Sequence, residues 1–357
     1  MSQVKKPFTV SENSPSWMSE IESELFSLRE KELQRSLIVT EQAAETWIER
    51  EGKKLLNLAS NNYLGLANRE ELKQGAIQAV EWYGAGSTAS RLIIGNHPLY
   101  QQAEEALVQW KQAEAGLILN SGYTANIGII SALMDREGVV FSDKINHASI
   151  VDGMILSRAE IKRYRHKDLA QLEQMLSKTP ITKRKLIVTD SVFSMDGDLA
   201  PLADLVRLKE KYNAILMVDE AHSSGIYGSR GEGLTHHLQL HRQIDIQMGT
   251  FSKAMGSFGA YVVGSSRLIE YLVNKMRSFI FTTALPPAVL GSILASISVV
   301  QEASMEREQL QKKARYFRQA LEKLGFALCG SETQIIPILV GSNDRTMEFS
   351  RLLQTEA

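Results

Sequence analysis

The chain has 357 residues, 44% of them hydrophobic and 23% charged, with a formal net charge of −1. That length suffices for one large domain and a smaller one around a sizeable core, and the near-neutral balance gives no electrostatic footprint for nucleic acid or an anionic membrane. A single cysteine, Cys329, excludes an intrachain disulfide and fits a reducing compartment; the opening MSQVKKPFTV has no apolar run of the kind a secretory signal needs, so the expectation is a cytoplasmic protein.

In chain order, residues 1–50 are charged and helix-prone, with Ile21, Leu25 and Leu28 at helical spacing, and read as a leading arm or helix. From 51 onward short β-rich runs alternate with helical windows. The runs are 115–122, 138–143, 161–166, 185–193, 214–222, 244–252 and 259–264, and a window such as Leu202 to Tyr212 fills a gap between them. Near-continuous apolar strands alternating with helices predict a mostly parallel seven-stranded sheet covered on both faces. This large domain is expected over 51–285. The apolar stretch Ala284 to Val300 is too short and too polar to span a bilayer and reads as a packed helix. A further strand, IIPILVG (335–341), and a last helix complete a small α+β domain over 286–357.

In such a sheet ligands sit beyond the carboxyl ends of the strands. Those ends carry Asn120 to Tyr123, Asp143 with Asn146 and His147, Asp190 with Ser194, Asp219 with His222, and Thr250 with Ser252 and Lys253. Asp219 leaves a strand buried on both faces and needs a positive partner to stay ionised, although DEAHSSG is also a fair helix start. Lys253 stands among Gly249, Ser252, Ala254 and Gly256, small neighbours that give a bulky ligand room to approach its amine; the other reading is a solvated loop lysine. Partial burial lowers an amine's pKa, as an imine-forming lysine requires. His147 is a candidate to stack on a ring, or an ordinary loop histidine. Together an amine, a carboxylate, a flat ring and phosphate donors at the strand-to-helix turn of Gly122 and Tyr123 describe a site for pyridoxal phosphate.

The segments NNYLGL (61–66), VFSMDGDLAPL (192–202), VDEAHSSGIYGSRGEG (218–233) and GTFSKAMGSFG (249–259) resemble the α-oxoamine synthases, fold-type I pyridoxal-phosphate enzymes of the class-II aminotransferase group. GSTASRLIIGNHPLYQQAEEAL (86–107) and FIFTTALPPA (279–288) are similar to the 8-amino-7-oxononanoate synthase branch of biotin synthesis, and the likeness runs from about Arg29 onward. The resemblance implies that Lys253 holds the cofactor covalently, Asp219 pairs with its ring nitrogen, and His147 stacks on the ring and meets the substrate. It implies that His222 contacts the phenolic oxygen, while Gly122, Tyr123, Ser194 and Thr250 serve phosphate and ring. Thr282 would reach the phosphate of a second subunit in a homodimer. Arg35 matches an arginine that meets the acyl substrate, and Asn61 an asparagine near the amino acid. The family continues past the point where this chain reads SRLLQTEA (350–357), with a strand and an Arg-Pro-Pro segment that grips the amino-acid carboxylate, so the small domain is expected to be incomplete.

The reaction implied is a decarboxylative condensation of L-alanine with pimeloyl-CoA or a pimeloyl-carrier protein. Glycine- and serine-using relatives share nearly all these motifs, and one methyl in a pocket is worth only ~1–3 kcal/mol. GAGSTA (84–89) matches a dinucleotide fingerprint but follows a helical pattern, where that motif requires a strand.

Overall fold

The computed structural model describes residues 15–42 and 44–355. They divide into two compact units, one holding the described residues up to Leu58 and from Leu339 on, the other Ala59–Ile338.

The first unit contains the helix Ser16–Glu30, the hairpin of β1 (Trp47–Arg50) and β2 (Lys53–Leu56), and the helix Asn343–Thr355. The hairpin is absent from the sequence reading. Its strands are four residues long and half charged, and its turn is Glu51-Gly52, with φ of 50° and 73°. Positive φ at both central positions matches the twist of a tight hairpin, and only the glycine advertises it.

The second unit is built on seven strands: β3 (Ala115–Leu119), β4 (Val139–Asp143), β5 (Glu160–Tyr164), β6 (Lys185–Asp190), β7 (Ile215–Asp219), β8 (Ile246–Thr250) and β9 (Ala260–Gly264). They form one sheet in the order β3-β9-β8-β7-β6-β4-β5. Strands β8, β7, β6, β4 and β5 run parallel, and β9 is antiparallel to both its neighbours. The mostly parallel seven-stranded α/β sheet expected from the sequence is therefore present, strand for strand.

Alternate residues explain why six of these strands read as continuous apolar runs, the edge strand β5 being charged and mostly exposed. Leu117, Val140, Val188, Met217 and Val262 enter one buried cluster with the helix Gly122–Leu133. Their chain neighbours face the other way: Ile118, Tyr261 and Val263 pack with the helices Pro98–Lys111 and Pro287–Glu302, and Phe141, Ile187, Leu216 and Val218 with the helix Leu202–Tyr212. A period of two that is apolar on both sides leaves no polar face. The helix Leu202–Tyr212 buries Leu202, Leu205, Val206 and Leu208 and stops at Asn213, whose φ of 49° is the left-handed conformation common past a helix end.

Two expectations fare differently. Gly84 ends the helix Glu70–Tyr83, so no strand precedes GAGSTA and the dinucleotide motif is excluded by its context. The run 335–341 pairs with no strand among the described residues. Pro337 lacks a ladder donor, and the Ile335 carbonyl is turned back to accept from Ser331 Oγ at 2.5 Å. No single helix among the described residues is long and apolar enough to cross a membrane. The helix Pro287–Glu302 instead packs against Glu70–Tyr83, at a crossing so close that a Cβ on Gly75 would lie 2.6 Å from the Gly291 carbonyl oxygen and 3.1 Å from Ala295 Cβ. Gly75→Val is expected to lower unfolding stability by about 1–3 kcal/mol through overpacking, read as a lower urea midpoint; an unchanged midpoint would show that the two helices are free to separate.

Candidate active site

The site forms where the parallel strands end. Across β8, β7, β6 and β4 the last residues are Thr250, Asp219, Asp190 and Asp143, all buried. Asp190 and Asp219 are direct register partners on adjacent parallel strands. The Ser191 N–H and Oγ both donate to the Asp219 carbonyl, at 2.8 and 2.9 Å, tying the two strand ends together.

Each of these carboxylates has its own donors. Asp219 Oδ1 accepts from the Ala221 N–H at 2.8 Å, and Oδ2 from Asn126 Nδ2 at 2.8 Å. Asp190 Oδ2 accepts from the His147 N–H at 2.8 Å. Burial, and next the charge of Asp219, push Asp190 well above the usual carboxylate range. Two adjacent buried carboxylates repel one another, and the direction at Asp190 is towards the protonated form.

Lys253 lies on the loop after β8, next to Asp219's strand. Burial lowers its pKa, outweighing the opposite pull of Asp219 and Asp190. Its Nζ is 2.7 Å from His222 Nε2, His222 Nδ1 is 2.8 Å from the Tyr63 hydroxyl, and that hydroxyl donates to Asn61 Oδ1 at 3.0 Å. Because the Tyr63 hydroxyl spends its one proton on Asn61 Oδ1, it accepts from His222; Nδ1 then carries the imidazole proton, and Nε2 accepts from the Lys253 amine. Burial is also the main cause that takes His222 from 6.5 down to about 3, with Lys253 and His147 adding to it, and burial raises the Tyr63 phenol. A desolvated amine beside a neutral imidazole is a nucleophile and a proton carrier.

Two of the small residues around Lys253, Gly249 and Gly256, are packed closely against protein atoms. A Cβ on Gly249 would meet the Tyr261 ring and Ser224 Oγ, and one on Gly256, whose φ is +67°, would lie 2.5 Å from the Ala67 N. Protein atoms, not open space, occupy those positions. Gly256 lets the 66–67 backbone reach the lysine loop, and that backbone follows directly on Asn61 and Tyr63.

The segment after Asp219 is pinned from below. Glu220 and Lys111 form an ion pair at 2.6 Å with both side chains fully buried. Lys111 Nζ also donates to the Glu232 carbonyl, and Glu220 Oε1 accepts from the Thr235 N–H at 2.9 Å. Burial lowers the Lys111 pKa, but Glu220 more than compensates and the net direction is up. Above it, Gln334 Nε2 donates to the His222 carbonyl at 2.8 Å.

The remaining predicted residues fall as follows. Gly122 and Tyr123 open the helix Gly122–Leu133, where Ser121 Oγ accepts from the Thr124 N–H. The Tyr123 hydroxyl donates to Asp152. Thr250 Oγ1 donates to the Gly259 carbonyl at 2.7 Å and accepts from the Ser252 N–H. Thr282 Oγ1 accepts from Asn120 Nδ2 at 3.3 Å, within this same chain and beside the turn of Ser121. Ser194 is half-buried on the turn after β6. Arg35 belongs to the other unit, on an exposed segment without regular secondary structure. The sequence reading missed Tyr63, Asn126, Ser149 and the Lys111–Glu220 pair. Tyr63 sits inside the quoted NNYLGL, so its position was in view; Asn126 sits mid-helix and Lys111 at a helix end, and nothing local marks either.

A mostly parallel seven-stranded sheet with an amine, an imidazole and a carboxyl pair at its carboxyl edge is the arrangement expected of fold-type I pyridoxal-phosphate enzymes. The model of the class I and II aminotransferases matches residues 53–357, and the chain belongs to that family. It is 57% identical over 338 residues to a Bacillus cereus (strain Q1) protein provisionally named an 8-amino-7-oxononanoate synthase, covering 95% of this chain and 86% of that one. A serine palmitoyltransferase variant from S. paucimobilis, solved with pyridoxal phosphate and myriocin, superposes with a TM-score of 0.84 at 34% identity over 90% of this chain and 83% of that one. The 8-amino-7-oxononanoate synthase of Francisella tularensis superposes at 0.74 and 28% identity, over 84% and 86%.

Because the folded chain keeps His222 neutral while the unfolded chain protonates it near 6.5, the unfolded state binds the extra proton between those values. His222 thus contributes stability above 6.5 that is lost as pH falls from about 6.5 towards 3. His222→Gln is expected to flatten that part of the stability–pH curve in urea titrations; slopes identical to the wild type would refute the buried neutral imidazole.

Proposed function

We propose that this chain is a pyridoxal-phosphate-dependent acyltransferase of the α-oxoamine synthase type, condensing L-alanine with a pimeloyl thioester to give 8-amino-7-oxononanoate, CO2 and a free thiol. The observation that carries the reading is the desolvated Lys253 amine, 2.7 Å from a neutral His222 and one strand over from the buried Asp219 carboxylate. The residues present fit the cofactor: a lysine of lowered pKa for its aldehyde, a donor-held carboxylate for its ring nitrogen, and a helix start at Gly122 and Tyr123 for its phosphate.

When bound, pyridoxal phosphate supplies an electron sink for the carbanion formed at the amino-acid Cα. The protein's own residues do the rest. Asp219, fixed by Ala221 and Asn126, keeps the ring nitrogen protonated. His147 would stack on the ring and meet the substrate, and His222, oriented by Tyr63, would meet the phenolic oxygen. Lys253 removes the Cα proton and later returns one; burial lowers its pKa, which favours the neutral amine a base needs, and a placed base is worth ~10²–10⁴ in rate. Ser194 and Thr250 support phosphate and ring, Asn61 the amino acid, and Arg35 the acyl chain. Thr282 serves the phosphate of a second subunit in a cytoplasmic homodimer.

A second reading keeps the chemistry and changes the partners. The higher TM-score and identity to the serine palmitoyltransferase than to the Francisella 8-amino-7-oxononanoate synthase support a reading in which serine and a palmitoyl thioester are the partners. Alanine and a pimeloyl thioester are favoured by the 57% identity to the Bacillus protein. The test is borohydride reduction of the purified chain with pyridoxal phosphate, followed by peptide mass spectrometry and turnover of alanine, glycine and serine against several acyl thioesters. One pyridoxyl group on the Lys253 peptide, its absence from Lys253→Ala, and fastest turnover of alanine with pimeloyl-CoA or the carrier protein are expected. An unlabelled Lys253 would overturn the cofactor reading, and faster turnover of serine or glycine the choice of substrate.

A further inference from the structure

Behind Asp219 a second chain of hydrogen bonds leads to His147. Asn126 is buried on the helix Gly122–Leu133; its Nδ2 donates to Asp219 Oδ2 at 2.8 Å and to Ser149 Oγ at 2.9 Å. Ser149 Oγ lies 2.7 Å from His147 Nδ1, and the Ser149 N–H donates to the same Nδ1 at 3.2 Å. The Asn126 amide cannot be turned over, because its oxygen would then face a carboxylate oxygen with no proton between them. The orientation is held although it leaves Asn126 Oδ1 buried with no partner, an uncompensated desolvation.

Direction then propagates. Both Nδ2 protons of Asn126 are committed, one to Asp219 and one to Ser149. Ser149 Oγ therefore accepts from Asn126, and of its two neighbours only His147 Nδ1 can take the hydroxyl proton. His147 Nδ1 is thus an acceptor of two bonds, from the Ser149 hydroxyl and from the Ser149 N–H, and a ring nitrogen that accepts carries no hydrogen. We infer that Asn126 and Ser149 are positioning residues that transmit the orientation imposed by Asp219 and fix His147 as the tautomer with its proton on Nε2. The exposed side of the ring then always presents a donor. The tautomer stands independently of the proposed reaction, whereas its use by a substrate or cofactor rests on that reading.

The test is ¹⁵N NMR of the full-length chain labelled at histidine, at mildly alkaline pH, with and without pyridoxal phosphate. His147 is assigned by the signals that vanish in His147→Gln. The expected wild-type result is a protonated-type Nε2 and an unprotonated, hydrogen-bonded Nδ1. In Ser149→Ala only the longer backbone bond remains, so Nδ1 shifts towards the tautomer mixture; Ser149→Thr, which keeps the hydroxyl, restores the wild-type pattern. Circular dichroism checks that each variant is folded, and the wild-type spectrum alone decides if one is not. A wild-type Nδ1–H tautomer, or a Ser149→Ala spectrum matching the wild type, overturns the relay. If Lys253 takes no pyridoxyl label while the Nε2–H tautomer is found, the cofactor reading fails and the relay remains.

Discussion

Two carboxyl groups side by side at the ends of adjacent parallel strands are the constraint around which this site is organised. Asp190 and Asp219 are register partners, both buried, and two negative charges so placed in a low-dielectric strand end repel one another. The asymmetry of their donors resolves the conflict. Asp219 has an amide on one oxygen and a backbone N–H on the other, while Asp190 takes one backbone N–H from His147 and is pushed up in pKa. Environments that drive two like groups apart are a common origin of distinct acid and base roles.

The same logic reaches outward to Lys253 and His222. Burial lowers both pKa values, so an amine and an imidazole that would repel one another as cations lie 2.7 Å apart with a hydrogen bond between them. Tyr63 and Asn61 complete that chain, and they reach it because Gly256 lets the backbone that follows them pack against the lysine loop. Beneath Asp219, the Lys111–Glu220 pair ties the helix Pro98–Lys111 to the turn that carries His222. A fully buried ion pair is weak evidence for stability, but removing one partner strands the other charge, and here the stranded charge would sit one residue from Asp219.

The sheet and its site were legible to different degrees. Six of the seven strands declare themselves as apolar runs because they are buried on both faces, whereas β5, Glu-Ile-Lys-Arg-Tyr at the sheet edge, is mostly exposed and is legible from its place in the alternation of runs and helices. The short hairpin at Glu51-Gly52 and the unpaired run at 335–341 were not legible, since a strand exists only if a neighbour's backbone is present to meet it. Asp219, Lys253, His147 and His222 stood out because titratable side chains at the ends of buried strands are chemically conspicuous. Asn126 and Ser149 did not, because an asparagine in a helix and a serine after a histidine are ordinary until their bonds are known.

What the sequence by itself determined is therefore the alternation of apolar runs and the order of polar groups at their ends, both set by local side-chain chemistry. What only the tertiary structure decided is the pairing: that Asp190 stands against Asp219, that Tyr63 reaches His222 across 159 positions of chain, and that Asn126 spans from Asp219 to Ser149. Register, burial and the direction of a hydrogen bond are relations between distant residues. They come into being only when the sheet closes and water leaves.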